Sequence, residues 1–178
     1  MFCPECVVGQ NKIRMISGIQ DYRKYFHKES LLFLNMKIQD SAINDLTHKI
    51  IGCAMQVHRT IGNGFQELIY QRALAIEFDF QNIEYVQEMN MEIYYREVSI
   101  GKRRVDFYVE NKVMVEIKAI EQLGLVHKAQ AINYCEAYNI ADGLLINFGS
   151  KSLDFKRVYN KKFIIPRTID NKNQSEQD

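Results

Sequence analysis

The stretch VDFYVENKVMVEIKAI, from Val105 to Ile120, predicts two β-strands joined by a short turn. Apolar and β-branched residues alternate with others on both sides of a polar interruption, Glu110 to Lys112. One face of this hairpin would carry Asp106 from the first strand and Glu116 and Lys118 from the second. Unpaired charge is costly inside a sheet, so these groups are expected to pair with each other or to hold a metal ion.

The register of the hairpin decides whether the charged groups meet. With a three-residue loop, Val109 opposes Val113 and Asp106 falls directly opposite Glu116, with Cβ atoms roughly 4.5–5.5 Å apart. A two-residue turn would send the two acids to opposite faces of the sheet. The longer loop therefore predicts that both carboxylates converge with Lys118.

Two neighbouring carboxylates are hard oxygen ligands of the kind that Mg²⁺ or Mn²⁺ prefers. A lysine beside them could orient a water molecule or stabilise charge on a phosphate. An ion-pair ladder on the surface of an ordinary hairpin is the competing interpretation of the same residues. The rest of the chain has to decide between the two.

Composition limits the possible classes of protein. The 178 residues, 47% of them hydrophobic, suit one domain with a substantial core. The 23 Lys and Arg residues balance the 22 Asp and Glu residues, so a net charge of +1 neither favours nor excludes a nucleic-acid partner. Four cysteines form no convincing disulfide framework, and Cys3-x-x-Cys6 lacks the second pair that a zinc site needs. Neither a membrane-spanning run nor a signal peptide is evident, so we expect a cytoplasmic protein without membrane contact.

The chain divides into three expected parts. Residues 1–40 form a leader of uncertain role, residues 41–166 form the domain, and residues 167–178 form a disordered tail without apolar periodicity. The periodic pattern begins only after Met36, which is a candidate for the natural start of the protein. A small accessory helix before Met36 is the alternative.

Two amphipathic helices are predicted before the hairpin. The first spans Leu46 to Ile61 and ends at Gly62-Asn63-Gly64, where glycine readily takes the left-handed conformation. The second spans Gln66 to Phe78, with Glu67 and Tyr70 as neighbours on one face. Its predicted core stripe lies on another face and consists of Phe65, Ile69, Ala73 and Ile76.

The remaining pattern alternates strands with one helix. The predicted strands are Tyr85–Gln87, Met91–Tyr95, Gly143–Asn147 and Leu153–Ile165, and the predicted helix is Leu125 to about Tyr138. The Ser99–Arg104 segment is predicted to be a basic turn that leads into the hairpin. The residues from Lys151 to Arg167 are also basic, which suits either a solvated edge strand or contact with nucleic acid.

Three motifs occur in an order and spacing that resemble a known group of proteins. Gly64 to Tyr70, GFQELIY, resembles the motif of the bacterial GxxExxY family, itself assigned to the PD-(D/E)XK nuclease superfamily. Asp106, followed by Glu116-x-Lys118, resembles the superfamily signature, although Val105 stands where the naming proline is expected. Gln130-x-x-x-Tyr134 resembles the third motif of RecB-like nucleases. The resemblance covers about residues 46–159.

The resemblance implies an α/β fold with a restriction-endonuclease-like core, in which helices flank a mixed central β-sheet. It also implies a metal-dependent nuclease that hydrolyses phosphodiester bonds, with DNA as the expected substrate. The expected cofactor is Mg²⁺ or Mn²⁺, held by Asp106, Glu116, the Ile117 carbonyl and Glu67. The expected catalytic residues are Asp106, Glu116, Lys118, Glu67 and Gln130. The expected substrate contacts are Tyr134, Tyr70 and Arg104. No cysteine triplet for an iron–sulfur cluster is present, so none is predicted.

Two other functions stay open at this stage. The chain could be a non-catalytic module of the same fold that binds nucleic acid or a partner protein, or it could hydrolyse nucleotides. A basic groove beside Asp106 would favour a polymeric substrate, whereas a small closed pocket would favour a nucleotide. A protein partner or a homodimer is compatible with each of these functions.

Overall fold

The computed structural model describes residues 37–164, which contain three helices and five strands. In chain order these are α1 (37–61), α2 (Glu67–Phe80), β1 (Tyr85–Tyr95), β2 (Val98–Val109), β3 (Val113–Lys118), α3 (Leu125–Ala137), β4 (Asp142–Asn147) and β5 (Asp154–Tyr159). The chain divides into two compact units, residues 1–46 and residues 47–178. The first unit is described only over residues 37–46, which are helical. Apart from residues 37–40, the predicted leader lies outside the described residues, and so does the predicted tail.

The second unit is built on a mixed sheet in which the five strands lie in sequence order. Strands β3 and β4 are parallel and the other neighbours are antiparallel. A parallel neighbour requires a crossover connection, and α3 provides it. This mixed sheet with flanking helices confirms the predicted restriction-endonuclease-like fold. No helix in residues 37–164 is long and apolar enough to span a bilayer.

The central hairpin has the register that its loop length predicts. Val109 pairs with Val113, and Phe107 pairs with Val115. The loop is compact because Glu110 and Asn111 take left-handed conformations, with φ of 47° and 53°. Asp106 and Glu116 are the next residues along the two strands, directly beyond the pair of Phe107 with Val115.

The segment before the hairpin differs from its prediction. Ser99–Arg104 is not a turn but part of the long strand β2, which pairs with β1 along almost its whole length. The turn lies instead at Arg96 and Glu97, whose φ angles are 48° and 65°. Neither residue is a typical turn former, so the sequence gives no local signal there.

Helix α2 buries the face opposite to the predicted one. Tyr70, Leu74 and Phe78 are fully buried, and the Phe78 ring contacts Phe107 edge-on. Three members of the predicted core stripe are instead exposed: Phe65 by 50%, Ile69 by 41% and Ile76 by 67%. The helix has two apolar stripes, and tertiary packing selects the one that also carries polar site residues.

The other predicted elements agree more closely with the structure. The stripe of α1 is buried at Ile50, Ala54 and Val57. Helix α3 packs its residues Ala131 and Cys135 against the sheet, and all of β4 is buried, as expected of an interior strand. Strand β5 is shorter than predicted and ends at Tyr159.

Candidate active site

Strands β2 and β3 cease to pair beyond Phe107 and Val115, and the Asp106 side chain lies where the ladder ends. Its Oδ2 accepts the backbone N–H of Ile117 at 2.7 Å. Its Oδ1 accepts a hydrogen bond from Gln71 Nε2 of α2 at 3.1 Å. The carboxylate thus replaces a strand carbonyl as acceptor and is held in one orientation by two elements.

Glu116 and Lys118 lie two residues apart on β3 and form a partly buried ion pair. Lys118 Nζ donates to Glu116 Oε1 at 2.8 Å, and the two side chains are only 15% and 9% exposed. Glu116 Oε2 is different, because it is buried and has no hydrogen-bond partner among the described residues. A buried carboxylate oxygen without a donor is unfavourable unless a cation or a water molecule occupies the space beside it.

The electrostatics of these groups show that they share one environment. Burial raises the pKa of Glu116 to about 6, and the negative charge of Asp106 adds to that increase. Burial also raises the pKa of Asp106, although the Ile117 N–H and the Lys118 ammonium oppose the rise. Burial acts to lower the pKa of Lys118, but Glu116, Glu67 and Asp106 outweigh it and the pKa is raised. The carboxylates of Glu116, Glu67 and Asp106 together carry more negative charge than the Lys118 ammonium alone balances.

Glu67 begins α2, and its charge acts on Asp106, Glu116 and Lys118. Tyr70, one turn later, fixes the loop that precedes this helix. Its hydroxyl donates to the Gly62 carbonyl at 2.9 Å and accepts the Phe65 N–H at 3.2 Å. The loop can take this shape because Gly62 and Gly64 have φ of 72° and 107°.

The environment of Tyr70 does not fit the predicted contact with substrate. The residue is 0% exposed, and its ring stacks on Phe148 with centroids 4.6 Å apart. Both hydrogen-bonding positions of its hydroxyl already serve the loop before α2. We therefore assign Tyr70 to the support of Glu67 and not to the substrate.

The remaining predicted residues lie in two places. On α3, Gln130 Nε2 donates to the Tyr134 hydroxyl at 2.6 Å. Tyr134 is 7% exposed and packs in the core beneath α3, so it is poorly placed for the predicted substrate contact. Arg104 on β2 is exposed and pairs with Glu88 at 3.4 Å, and its charge lowers the pKa of Asp106.

Two residues that sequence reasoning missed support the site. Gln71 is 5% exposed and lies one helical turn after Glu67, so its spacing could have revealed it. Asn147 at the end of β4 is 0% exposed, and its amide accepts the Ile120 N–H at 3.0 Å and donates to the Ile120 carbonyl at 2.8 Å. It thereby fixes the main chain two residues after Lys118. No local pattern predicts that contact.

Gly149 completes this support because only a residue without a side chain fits there. A Cβ atom at Gly149 would lie 2.4 Å from the backbone nitrogen and oxygen of Ile120. The loop after β4 is also tied to the α1–α2 region, since the His58 ring contacts the Ser150 carbonyl at 3.0 Å and Asn63 donates to the Gly149 carbonyl at 3.2 Å. Close packing of the loop after β4 against Ile120 thus fixes the main chain that follows Lys118.

The donor set fits a hard divalent cation. Glu116 contributes an oxygen without a donor, and Asp106 contributes a second carboxylate with a raised pKa. Residues 37–164 contain no group of three or more His, Cys, Asp or Glu side chains arranged around one metal position. A cation at the two carboxylates would therefore complete its shell with a main-chain carbonyl such as that of Ile117, with water, or with substrate oxygen.

Comparison with known proteins defines the class. Residues 44–158 match the family described as the PD-(D/E)XK nuclease superfamily. The match covers more than half of the chain, which therefore belongs to that superfamily. No curated protein matches the chain significantly. A solved structure entitled "Crystal structure of SSO0001" is similar with a TM-score of 0.43 and 19% identity, over 53% of this chain and 50% of that one. The chain thus spans about half the length of that protein.

Proposed function

We propose that this protein is a metal-dependent nuclease that hydrolyses phosphodiester bonds, with DNA as its substrate. The observation that carries the proposal is the buried Glu116 Oε2, which has no hydrogen-bond partner within residues 37–164 and lies beside Asp106 and the Lys118 ammonium. A structural ion pair would be expected to satisfy both carboxylate oxygens. Membership of the nuclease superfamily gives the same class of reaction.

The proposed metal-binding groups are Asp106, Glu116, the Ile117 carbonyl and Glu67. When bound, Mg²⁺ or Mn²⁺ would lower the pKa of a water molecule and offset charge on the phosphate. The chain keeps Asp106 in position through Gln71 and the Ile117 N–H. Negative charge at Glu67, opposite the hairpin, would strengthen the attraction for the cation.

Lys118 would orient the attacking water or the scissile phosphate. Its ammonium is held against Glu116 Oε1, and its raised pKa keeps it protonated at neutral pH. Arg104, exposed on the same strand as Asp106, would contact a neighbouring phosphate. Membership of the GxxExxY branch is part of the proposal, and it is supported by the charge of Glu67 acting on the carboxylates and by Tyr70 fixing the loop before α2.

The larger of the two described cavities does not contain the site. This cavity of about 610 Å³ is lined by residues of α1 and α2 and by Gln81, none of which belongs to the site. The carboxylates lie instead where strands β2 and β3 cease to pair. We prefer a polymer to a nucleotide as substrate because Arg104, exposed on the same strand as Asp106, offers a second cation for a neighbouring phosphate.

The test is incubation of the protein with single- and double-stranded DNA and RNA and with nucleoside triphosphates, in Mg²⁺, Mn²⁺ or EDTA. We expect metal-dependent cleavage of DNA that Lys118→Ala abolishes. Lys112→Ala is the matched control, since it removes an exposed lysine that is ion-paired with Glu110 on the same hairpin. Binding of nucleic acid without cleavage would favour the non-catalytic module, and full activity in Lys118→Ala would refute the proposed mechanism.

A further inference from the structure

The β1–β2 hairpin extends well beyond the rest of the sheet. Strand β3 pairs with β2 only at Phe107–Val109, whereas β1 and β2 remain paired as far as Tyr95 and Val98. We call residues 88–105 the arm. At about 3.3 Å per residue, the arm reaches roughly 26 Å from Asp106 to Val98 at its tip.

One face of the arm connects its tip to the candidate active site. At the tip, the Tyr94 hydroxyl donates to Glu92 Oε2 at 2.8 Å, and Lys102 pairs with Glu92 Oε1 at 3.1 Å. Arg104 follows two residues after Lys102, and its charge acts on Asp106. Strand pairing of Glu92 with Lys102 and of Asn90 with Arg104 puts Tyr94, Lys102 and Arg104 on one side of the hairpin. We call it the site-facing side, because Asp106 lies two residues after Arg104 on β2.

The opposite side of the arm carries a similar set of residues that does not lead to the site. Alternation along the strands directs Tyr95 and Arg103 away from Tyr94 and Arg104. Tyr95 is as exposed as Tyr94, at 62% against 61%. The arm therefore offers a tyrosine and a cation on each side, of which only one set is aligned with Asp106.

The chemistry of the site-facing side suits a flexible polyanion. An exposed tyrosine ring can stack on an unpaired base, whereas a base within a duplex has no free face to offer. The lysine and the arginine are held only by exposed carboxylates, Glu92 and Glu88, and ion pairs of this kind contribute little. Phosphates can replace those carboxylates as partners of Lys102 and Arg104, because Glu92 and Glu88 are exposed and water then solvates their charges.

We propose that the site-facing side of the arm binds a single-stranded segment of the polynucleotide substrate and leads its backbone to Asp106. Tyr94 stacks on an unpaired base at the tip, and Lys102 and Arg104 contact successive phosphates. This inference rests on the proposed nuclease function and specifies its substrate as nucleic acid with an unpaired stretch. It also explains why the large side chain of Tyr94 is 61% exposed at the tip of the hairpin.

The test measures binding of a fluorescent single-stranded DNA oligonucleotide by anisotropy in EDTA, where cleavage does not occur. The double variant Tyr94→Ala/Lys102→Ala should bind about tenfold more weakly or worse. The matched control, Tyr95→Ala/Arg103→Ala, likewise removes one tyrosine and one positive charge, but from the opposite side, and should bind like the wild type. Glu92→Gln should bind roughly two- to fivefold more tightly, because it frees Lys102 for phosphate.

Other outcomes would overturn the inference. Equal losses in both double variants would mean that the arm acts only through its total charge. Equal affinity of the wild type for single strands and for a blunt duplex would exclude the role of Tyr94 in stacking. Loss of a dimer in sedimentation on Tyr94→Ala/Lys102→Ala would assign the tip to a second copy of the chain. The cleavage assay, which uses metal, tests the proposed nuclease function, whereas the binding assay in EDTA tests the arm. Cleavage that does not depend on the arm would refute only this inference, and binding by the arm without any cleavage would refute only the nuclease function.

Discussion

Two buried acidic residues on neighbouring parallel strands have opposite environments. The side chains of Asp142 on β4 and Glu116 on β3 are each 9% exposed. Asp142 Oδ1 accepts two hydrogen bonds from the Arg157 guanidinium, at 2.9 and 2.7 Å. Glu116 receives one hydrogen bond from Lys118, and its second oxygen has no partner among the described residues.

The difference shows how a structural ion pair can be told from a binding site. The Arg157 guanidinium donates twice to Asp142 Oδ1, and no oxygen of Asp142 is both buried and without a partner among the described residues, so the pair joins β4 to β5. An ammonium is a point charge that engages one oxygen and leaves the other for a ligand. Equal burial of the two carboxylates therefore does not reveal their roles. The hydrogen-bond partners of each carboxylate distinguish a structural ion pair from a binding site.

The largest expected effect is on catalysis. Asp106→Asn, Glu116→Gln and Lys118→Ala should each lower DNA cleavage by about 10³-fold or more, and double variants should lose little more, since residues that act as a unit are non-additive. Both acid variants should also bind Mg²⁺ or Mn²⁺ more weakly, whereas Lys118→Ala should retain or gain metal affinity. Calorimetric metal titration beside a cleavage assay measures both effects. Asp142→Asn is the comparison variant, and a similar loss of activity per folded molecule in that variant would break the distinction.

The second expected effect is on stability and concerns the other acid. Asp142→Asn removes the charge that Arg157 faces inside the sheet, which should destabilise the fold by about 3 kcal/mol. For a chain of this length, thermal unfolding should then shift down by roughly 6–12 °C. Asp154→Asn, which breaks the exposed pair with Lys156, should change the unfolding temperature very little. Equal shifts in the two variants would mean that burial does not distinguish these pairs.

Sequence reasoning could predict the site where local geometry determines it. The count of residues between Val109 and Val113 fixes the register, and Asp106 and Glu116 are the next residues beyond its last pair, Phe107 with Val115. The helix periodicity likewise places Glu67 at the start of α2. These inferences depend on spacing along the chain and need no knowledge of how distant segments pack.

The features that sequence reasoning missed depend on packing between distant segments. Asn147 acts on Ile120, 27 positions away, so no local pattern marks it. Gln71 contacts Asp106, 35 positions away, and only its spacing from Glu67 on α2 hints at a role. The buried face of α2 was assigned wrongly because the helix carries two apolar stripes, of which only one meets the sheet. The turn at Arg96 and Glu97 was missed because both residues take left-handed conformations without glycine or asparagine.

The third expected effect is a gain in stability for a Glu116 variant, whereas the second is a loss of stability for an Asp142 variant. Because the folded pKa of Glu116 is about 6, above its unfolded value, this group favours folding at low pH, and that contribution is lost as pH rises through 6. In EDTA at about pH 8, Glu116→Gln should therefore be more stable than the wild type by about 2 kcal/mol, and the difference should vanish below about pH 4.5. Glu110→Gln on the same hairpin loop is the exposed control. A destabilised Glu116→Gln would mean that the pair with Lys118 is structural, like that of Asp142.

The smallest expected effect is the competition between protons and metal at Glu116. A cation needs the ionised carboxylate, so Mg²⁺ or Mn²⁺ affinity should fall about tenfold between about pH 7 and pH 5, and the raised pKa of Asp106 acts in the same direction. Lys118 lowers the pKa of Glu116 through its hydrogen bond, so Lys118→Ala should move the midpoint of this pH dependence upward. Metal titrations across this pH range, in wild type and in Lys118→Ala, measure both shifts. A pH-independent affinity would place the metal away from Glu116 and leave its second oxygen to a buried water.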